Sequence, residues 1–183
     1  MTKIKLKGRH SKVFVRGKKL VKKFDKKLSY NFWKEAFFLT ILQPYKFVPK
    51  LYSVKPELLE IEMEFLNGVY LQKWIDLHGN KVVKACLKVC HTLDRLGIRK
   101  EEMTHPDRHI IVVNSKPYFI DFERSHFVAL RKNPGNVTQF VTYLTRIGLF
   151  KLDKELVELL KNYKQNIENF NKLESKIVKL LSK

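Results

Sequence analysis

Two stretches of the sequence decide the fold class: "LGIRKEEMTHPDRHIIV", Leu96–Val112, and "YFIDFERS", Tyr118–Ser125. In the second stretch Asp121 ends a strongly apolar run, where a carboxylate is costly unless it has a partner. A divalent cation such as Mg²⁺ is a natural partner for it. The first stretch places several charged side chains in front of "HIIVV", a run typical of a short strand. Together they predict a metal-binding strand end beside a charged loop.

The residues before these stretches predict a small antiparallel sheet with one helix. The lysine-rich start alternates apolar and polar residues and predicts strands at about Lys3–Leu6, Lys12–Arg16 and Lys19–Phe24. Apolar residues then recur at helical spacing in "SYNFWKEAFFLTIL". The segments "KLYSV" and "LLEIEMEF" predict two further strands.

After "NGV" the pattern becomes mainly helical. Helices are predicted in "LQKWIDLH", "NKVVKACLKVCHTLDRLG" and "NVTQFVTYLTRIGL", with a strand hairpin, "HIIVV" and "PYFIDF", before the last of them. The tail from Asp153 carries an apolar stripe typical of a helix face that docks on a core. The stripe consists of Leu156, Leu160, Tyr163, Ile167, Phe170, Leu173, Ile177 and Leu180.

This order of elements is that of a protein-kinase-like fold. A sheet with one helix comes first, then a short connector, a long helix, and a hairpin that ends in Ile-Asp-Phe. We therefore expect an α+β chain with a minimal bilobal architecture. Residues 1–66 would form an N-lobe of antiparallel sheet plus one helix, and residues 67–150 a reduced, mainly helical C-lobe. Residues 151–183 would form a C-terminal helical extension that packs on the C-lobe.

In such a fold, phosphoryl transfer needs a cover over the phosphates of ATP, a cation on them, a divalent metal and a group that orients the nucleophile. The cover would be the hairpin "KGRHSKVF", in which Gly8 and Ser11 would approach the phosphates. The cation would be Lys22, because a lysine inside an apolar strand needs an anion. Lys23, on the opposite face of the strand, is the alternative. Glu35, in an otherwise apolar helix segment, would pair with this lysine.

The segment "IEMEFLNG" predicts a last strand that runs into a hinge between the lobes. Backbone groups of Glu64, Phe65 and Leu66 would face the edge of an adenine ring. Met63 would lie behind the base.

Kinase-like catalytic loops commonly have the pattern L-G-I-x-H-G-D-L, with an Asn before the next apolar strand, and "LGIRKEEM" overlays it. Glu102 then falls at the place of the catalytic Asp, and His109 at the place of the metal-binding Asn. The segment between them is two residues longer than usual, so Asp107 is a rival for either role. A Glu can accept a hydroxyl proton, and a His, though a poor Mg²⁺ ligand, can hydrogen-bond a phosphate. Asp121 would bind the metal, and Glu123 could add a ligand.

The net charge of +19 predicts a polyanionic partner. Twelve Lys or Arg and one acid, Asp25, lie between Met1 and Leu28. A lysine-rich, solvated surface from a thermophilic proteome would show the same excess, and RNA, DNA or an anionic membrane surface is the functional alternative.

We expect a cytoplasmic protein with no membrane partner, and we expect it to be a monomer. No run of about 18 apolar residues predicts a transmembrane helix, and the basic N-terminus lacks the apolar segment of a secretory signal. Cys86 and Cys90, four apart on a helix, are expected to pack in the core of a protein in a reducing compartment.

Three motifs extend these expectations to a family. "LDRLGIRKEEMTHPDRHIIV", "YFIDFERSHF" and "NPGNVTQFVTYL" resemble a small archaeal and bacterial family of predicted serine/threonine kinases. The resemblance rests on three groups of residues: Pro106 and His109 before the predicted strand in "HIIVV", Ile120 to Arg124 after it, and the run from Pro134 to Gln139. The family is similar to RIO-type kinases and to the small kinase of the tRNA threonylcarbamoyl machinery. The resemblance covers most of Lys3 to Gly148 and leaves out the tail.

The resemblance implies a RIO-type fold, ATP and Mg²⁺ as cofactors, and tRNA as substrate. Members of the family include a tRNA kinase that phosphorylates the ribose 2′-hydroxyl of a uridine in the variable loop, a modification that helps tRNA withstand heat. Glu102 or Asp107 would then orient the hydroxyl, Lys22 would hold the phosphates, and Asp121 with His109 would organise the metal. Basic residues around this site would grip RNA phosphates. They are Arg9, Lys12, Arg99, Lys100, His105 and Arg108. A protein serine/threonine kinase and a non-catalytic RNA-binding module of the same fold are the alternatives.

Overall fold

An antiparallel sheet forms the start of the chain in the computed structural model, which describes residues 4–7, 11–128 and 134–182. Five strands belong to it within these residues, in the spatial order β1-β2-β3-β5-β4. They are β1 (Ile4–Lys7), β2 (Ser11–Arg16), β3 (Lys19–Phe24), β4 (Leu51–Lys55) and β5 (Glu60–Glu64). Strand β3 therefore lies at the centre, between β2 and β5.

One helix, α1 (Ser29–Leu42), packs on this sheet. Phe32, Leu39 and Leu42 are fully buried on its inner face. Glu35 lies one turn from Phe32 and Leu39 on that same buried face. Glu35 of α1 and the central strand β3 therefore meet in the interior between the helix and the sheet.

The second half is built from helices and short strands. Strands β6, β8 and β9 pair in the order β6-β8-β9, and β7 pairs with β10, all antiparallel. Two 3₁₀ turns, Glu101–Thr104 and Pro106–Arg108, connect β7 to β8. The elements are β6 (Val69–Tyr70), α2 (Leu71–His78), α3 (Val82–Arg95), β7 (Ile98–Arg99), β8 (Ile110–Val113), β9 (Lys116–Phe119), β10 (His126–Phe127), α4 (Asn136–Arg146), α5 (Lys154–Gln165) and α6 (Phe170–Leu181).

Helix α3 is the centre of the helical half. Its apolar stripe is fully buried and includes both free cysteines, Cys86 and Cys90, as expected. Burial raises the pKa of the Cys86 thiol well above its ordinary value, so that thiol is unreactive at neutral pH. The helix ends before Gly97, whose φ of 66° turns the chain into β7.

The tail packs on α3, but as two helices instead of one continuous stripe. A 3₁₀ turn, Ile167–Asn169, separates α5 from α6, and the side chain of Asn166 accepts a hydrogen bond from the backbone N–H of Glu168. Most of the predicted stripe is nevertheless buried, including Tyr163, whose hydroxyl donates to Asp94 Oδ2 at 2.9 Å. No helix in the described part of the chain has both the length and the apolar character needed to cross a membrane.

Candidate active site

A cavity of about 440 Å³ separates the five-stranded sheet from the helical half. This volume lies within the range of pockets that bind small molecules, about 300–1,000 Å³. Both halves contribute to its lining, among them Lys22, Glu35, Met63, Leu66, Asp121 and Glu123. The lysine and the strand-end carboxylate singled out in the sequence therefore face one another across the same cleft.

Lys22 lies among three carboxylates. Its Nζ is 2.9 Å from Asp121 Oδ1, 3.4 Å from Glu123 Oε2 and 3.8 Å from Glu35 Oε1. Burial by itself opposes the charge, but the coulombic attraction of Glu35, Asp121 and Glu123 raises the pKa of Lys22 above its ordinary value. The cleft consequently contains a permanently protonated ammonium.

The choice between Lys22 and Lys23 follows from the two-residue period of strand β3. Lys22 shares a face with Leu20, and both line the cleft. Lys23 shares the other face with Val21, and its Nζ pairs with Glu60 Oε1 at 2.9 Å on the outer side of the sheet. Lys22 is therefore the lysine that can reach a ligand in the cleft.

Glu35 connects helix α1 to the loop that carries Asp121. It is almost completely buried, and its carboxylate accepts a hydrogen bond from the backbone N–H of Phe122. Burial raises the pKa of Glu35 to about 7, with Lys22 opposing that shift. The pairing of Lys22 with Glu35 expected from the sequence is present at salt-bridge distance.

Asp121 lies two residues beyond the end of strand β9, not at the strand end itself. Its φ of 64° is in the left-handed region, which Asp tolerates better than most residues. The backbone N–H of the preceding Ile120 donates to the carbonyl of His109 at 3.0 Å, which connects this turn to the loop before β8. Burial would raise the pKa of Asp121, but Lys22 and Lys100 hold it below its ordinary value.

Glu102, His109 and Asp121 form one cluster whose potential ligand atoms all lie within 4.8 Å of one another. His109 Nδ1 is 3.8 Å from Glu102 Oε2 and 3.8 Å from Asp121 Oδ2. Burial lowers the pKa of His109 to about 4, so the ring is neutral at pH 7.

The same cluster has the chemistry of a divalent-cation site. His109 Nδ1 is buried and has no hydrogen-bond partner among the described residues, and two carboxylates face it. A cation between the three would use the orphaned nitrogen and balance the two negative charges. The residues present therefore fit a metal ion.

Comparisons with known proteins add a family and a fold. No family model matches the chain. It is 30% identical over 117 residues to the uncharacterized protein MJ1211 of Methanocaldococcus jannaschii, an alignment that covers 56% of this chain and 99% of that protein. The chain belongs to the MJ1211 family.

The fold of this MJ1211-family chain is that of a RIO-type kinase, as predicted. The crystal structure of the Rio2 kinase-ADP/Mg²⁺-phosphoaspartate complex from Chaetomium thermophilum superposes with a TM-score of 0.56 at 15% sequence identity. The alignment covers 78% of this chain and 52% of the Rio2 chain. The chain thus spans about half of the kinase it matches.

Lys100 was expected to contact RNA phosphates, but its side chain lies in the protein interior. That expectation is wrong, because the side chain is 0% exposed. Its ammonium donates to the main-chain oxygen of Asp121 and to Glu102 Oε2, the latter at 3.2 Å, and lies over the ring of Phe122. Lys100 occupies the His position of the L-G-I-x-H-G-D pattern, and this alignment was the signal that it belongs to the site in the MJ1211-family chain.

The other candidate RNA contacts lie on the rim or the surface. Arg108 is exposed and also lines the cleft, and Lys12 is exposed on strand β2. Arg99 is half-buried, and its guanidinium lies so close to Gly135 that a Cβ there would come within 2.7 Å of it. His105 Nδ1 is 3.4 Å from Arg146 Nη2.

Gly8 of the predicted phosphate cover and Arg9, a predicted RNA contact, lie outside the described residues. Ser11, at the start of β2, lines the cleft as the hairpin assignment requires. Asp107 lies on the 3₁₀ turn after Glu102, with its carboxylate 3.7 Å from Arg108 Nε, and is not part of the three-residue cluster.

At the hinge, two of the three expected backbone donors are already used. The N–H of Glu64 donates to the Lys50 carbonyl at 2.8 Å, and that of Phe65 to the Lys18 carbonyl at 2.9 Å. An adenine edge would therefore use the N–H of Leu66 and carbonyls of this segment. Met63 is buried and lines the cleft, as expected for a residue behind the base.

A buried polar network lies under the loop that carries Glu102, and the sequence patterns did not predict the part of Asp94 in it. Asp94 accepts hydrogen bonds from the backbone N–H groups of Gly135, Asn136 and Val137, at the start of α4. Asn136 in turn donates to the carbonyl of Ile98 and accepts from the backbone N–H of Lys100. The spacing of four from Cys86 to Cys90 to Asp94 was the available signal, since it places the acid on the buried stripe of α3.

Proposed function

We propose that this chain is an ATP- and metal-dependent kinase that phosphorylates a ribose 2′-hydroxyl of tRNA. The observation that carries the proposal is the cleft in which Lys22 meets Asp121 beside the cluster of Glu102, His109 and Asp121. A cation for phosphates, a fitting metal site and a carboxylate for the nucleophile are the parts that phosphoryl transfer needs.

The residues have distinct roles in this proposal. Lys22 exchanges Asp121 for a phosphate oxygen of ATP, and Glu35 and Glu123 keep its ammonium in place. Asp121 and His109 would hold the divalent cation, which would neutralise charge on the phosphates. Lys100 donates to Glu102 and to the Asp121 main chain, and so fixes the acid relative to the metal loop.

The chemical step balances as an in-line displacement. The ribose 2′-oxygen forms a bond to the γ-phosphorus while the bond between that phosphorus and the β–γ bridging oxygen breaks. ADP leaves, and the hydroxyl proton passes to the Glu102 carboxylate. Lys100 Nζ, hydrogen-bonded to Glu102 Oε2 at 3.2 Å, keeps this carboxylate oriented.

The choice of RNA as substrate has independent support from the net charge of +19. A polyanionic substrate is attracted by such an excess, whereas a typical protein substrate gains little from it. The resemblance of the three sequence motifs to a family that includes a tRNA 2′-kinase points in the same direction. As part of the proposal, the modified nucleotide is a uridine of the variable loop, and the phosphate stabilises the tRNA against heat.

The test is incubation with γ-labelled ATP and either tRNA or a general protein substrate such as casein. We expect label in tRNA, recovered on nuclease digestion as one nucleoside with an added 2′-phosphate by mass spectrometry. Label in the protein substrate alone would favour a protein serine/threonine kinase. No label in either, with tRNA bound but no Mg·ATP-dependent rise in melting temperature, would favour a non-catalytic RNA-binding module.

A further inference from the structure

The outer face of helix α1 carries large exposed aromatic side chains. Tyr30 is 73% exposed, Trp33 53% and Phe37 50%. Their spacing of three and four places them on one side of the helix. Phe127, 56% exposed on strand β10, extends the set, with its ring centroid 6.0 Å from that of Phe37. We call these four residues the aromatic face.

The aromatic face is not needed to attach α1 to the sheet. That task belongs to the opposite side of the helix, where Phe32, Leu39 and Leu42 are fully buried. The helix is therefore apolar on two sides, and one of them stays open in the described part of the chain. A contiguous exposed apolar patch of this kind marks an interaction site more often than it marks ordinary surface.

The charges around the aromatic face indicate what covers it. Lys26 and Lys27 are exposed on the turn before α1, and Lys34 Nζ lies 5.4 Å from the centroid of the Tyr30 ring. The acid within α1, Glu35, points into the cleft instead, and Asp25 is the acid at the start of the turn. With a net charge of +19 on the chain, a second copy would be repelled, while a polyanion with flat apolar groups would be attracted.

We propose that the aromatic face is a stacking platform for unpaired bases of the RNA substrate. Bases stack on aromatic side chains with little dependence on sequence, and neighbouring lysines follow the phosphates. The platform also connects to the site. Strand β10, which carries Phe127, pairs with β7, and the residue after β7 is Lys100, which reaches Glu102 and Asp121. This inference rests on the proposed function for the identity of the substrate.

Trp33 makes the proposal directly measurable. The chain has two tryptophans, and replacing the half-buried Trp74 with Phe leaves Trp33 as the fluorescent reporter. Titration with a ten-nucleotide oligouridylate should quench its emission in a saturable way. An abasic oligomer of the same length and charge should bind more weakly and quench little. Equal quenching by both oligomers would show electrostatic attraction without stacking and would overturn the proposal.

Variants then separate this surface from the rest of the chain. Trp33→Ala and Phe37→Ala should each weaken oligouridylate binding by roughly 5- to 150-fold, the range for losing one stacked base. Leu77→Ala is the matched control, because Leu77 is an exposed apolar residue, 61% exposed, on helix α2. Melting temperatures within about 3 °C of the unmodified chain would show that the variants are folded.

Two results would overturn the inference and leave the proposed function untouched. In the first, the chain phosphorylates tRNA, but Trp33→Ala and Phe37→Ala bind RNA as tightly as the control Leu77→Ala. Another is a concentration-dependent dimer in sedimentation that Trp33→Ala abolishes, since it would assign the face to a second copy. Conversely, base-dependent quenching of Trp33 without any transfer of label to tRNA would support the platform and refute the kinase.

Discussion

The charge of Lys22 is balanced by the acidic residues around it in the cleft. Three carboxylates surround it, and a buried cation with fewer partners would be costly. ATP phosphates can take the place of Asp121 as its closest partner, and Asp121 then becomes available to a metal. Lys22 and Asp121, which pair with each other in the cleft, are thus the residues that would separate to bind nucleotide and metal.

The two neighbouring lysines give a matched test of this role. Lys22→Ala should lower the rate of phosphoryl transfer by about 10²–10³-fold, the usual cost of removing one group that stabilises developing charge. It should also abolish the Mg·ATP-dependent rise in melting temperature. Lys23→Ala, which breaks only the outer pair with Glu60, should leave both close to the unmodified values. Equal losses in the two variants would contradict the assignment.

Glu102 and Asp107 can be separated in the same way. Glu102→Gln keeps the shape of the side chain but removes the proton acceptor, and we expect a loss of about 10²–10⁴-fold in turnover. Asp107→Asn should change turnover by less than about tenfold, because its carboxylate lies outside the cluster. The measurement is single-turnover transfer from labelled ATP with saturating tRNA. A greater loss with Asp107→Asn would reverse the two roles.

In the proposed site, His109 would set the metal preference. A site in which the His109 imidazole joins the Asp121 carboxylate suits Mn²⁺ better than Mg²⁺, which favours oxygen ligands alone. Mn²⁺ should therefore bind more tightly than Mg²⁺, by about tenfold or more, as measured by loss of the free-Mn²⁺ electron paramagnetic resonance signal and by competition with Mg²⁺. His109→Asn, which replaces the nitrogen ligand with an amide oxygen, should reduce this preference. An unchanged ratio would exclude His109 as a ligand.

Local sequence pattern could predict some of these residues but not others. Alternation along β3 places Lys22 and Lys23 on opposite faces, because a strand has only two faces, but which face lines the cleft follows only from the structure. Asp121 follows from the cost of a carboxylate after an apolar run. The burial of Lys100 does not follow from its neighbours alone, because two of its partners, Asp121 and Phe122, lie about twenty residues away in the chain. Long-range contacts of this kind are visible only once the loops are placed.

Among the elements, α3 and the tail form a coupled unit behind the site. The hydroxyl of Tyr163 in α5 donates a hydrogen bond to Asp94, and Asp94 also accepts one from the backbone N–H of Asn136 at the start of α4. The side chain of Asn136 accepts a hydrogen bond from the backbone N–H of Lys100, which fixes the loop before Glu102. Spacing predicted the buried face of the tail, because the apolar period continues from Tyr163 to Ile177. It did not predict the break at Asn166, since the apolar residues keep helical spacing across the 3₁₀ turn.

The junction of α3 with the tail should be sensitive to acid. His91 stacks on Phe170 with ring centroids 4.0 Å apart and lies 3.1 Å from the Tyr163 hydroxyl. Burial, with help from Arg95, lowers its pKa below the ordinary 6.5. A lowered pKa means that the folded state resists protonation. Stability from this group is therefore complete above about pH 6.5 and is lost as the pH falls below that value.

Urea unfolding at pH 7.5 and pH 5.0 tests this for His91. His91→Phe keeps the stacked ring but cannot titrate, so the variant should lose less stability between the two pH values than the unmodified chain. The comparison cancels the titration of other groups, which both proteins share. Parallel losses would show that His91 does not contribute to the acid sensitivity of the tail.

For the molecule as a whole, salt screens the excess surface charge and the charges in the cleft to different extents. An excess of +19 attracts a polyanion over distances comparable to the Debye length, about 8–10 Å at physiological salt, and therefore weakens as salt rises. The Lys22 cluster is largely buried and is screened much less. Binding of RNA and binding of nucleotide should therefore respond to ionic strength in distinct ways.

Salt titration makes this distinction a quantitative prediction. If the chain neutralises six or more phosphates, tRNA affinity should fall by roughly 10³-fold or more between about 50 and 200 mM KCl, with a linear plot of log Kd against log salt. Mg·ATP affinity, measured by calorimetry over the same range, should change by less than about tenfold, because its principal cation is enclosed. Replacing the exposed Lys26 and Lys27 with Gln should reduce the tRNA slope and leave the ATP value unchanged. A tRNA affinity that does not change with salt would mean that the excess charge serves solvation alone. Equal slopes of log Kd against log salt for tRNA and Mg·ATP would mean that the phosphates of ATP bind outside the cleft.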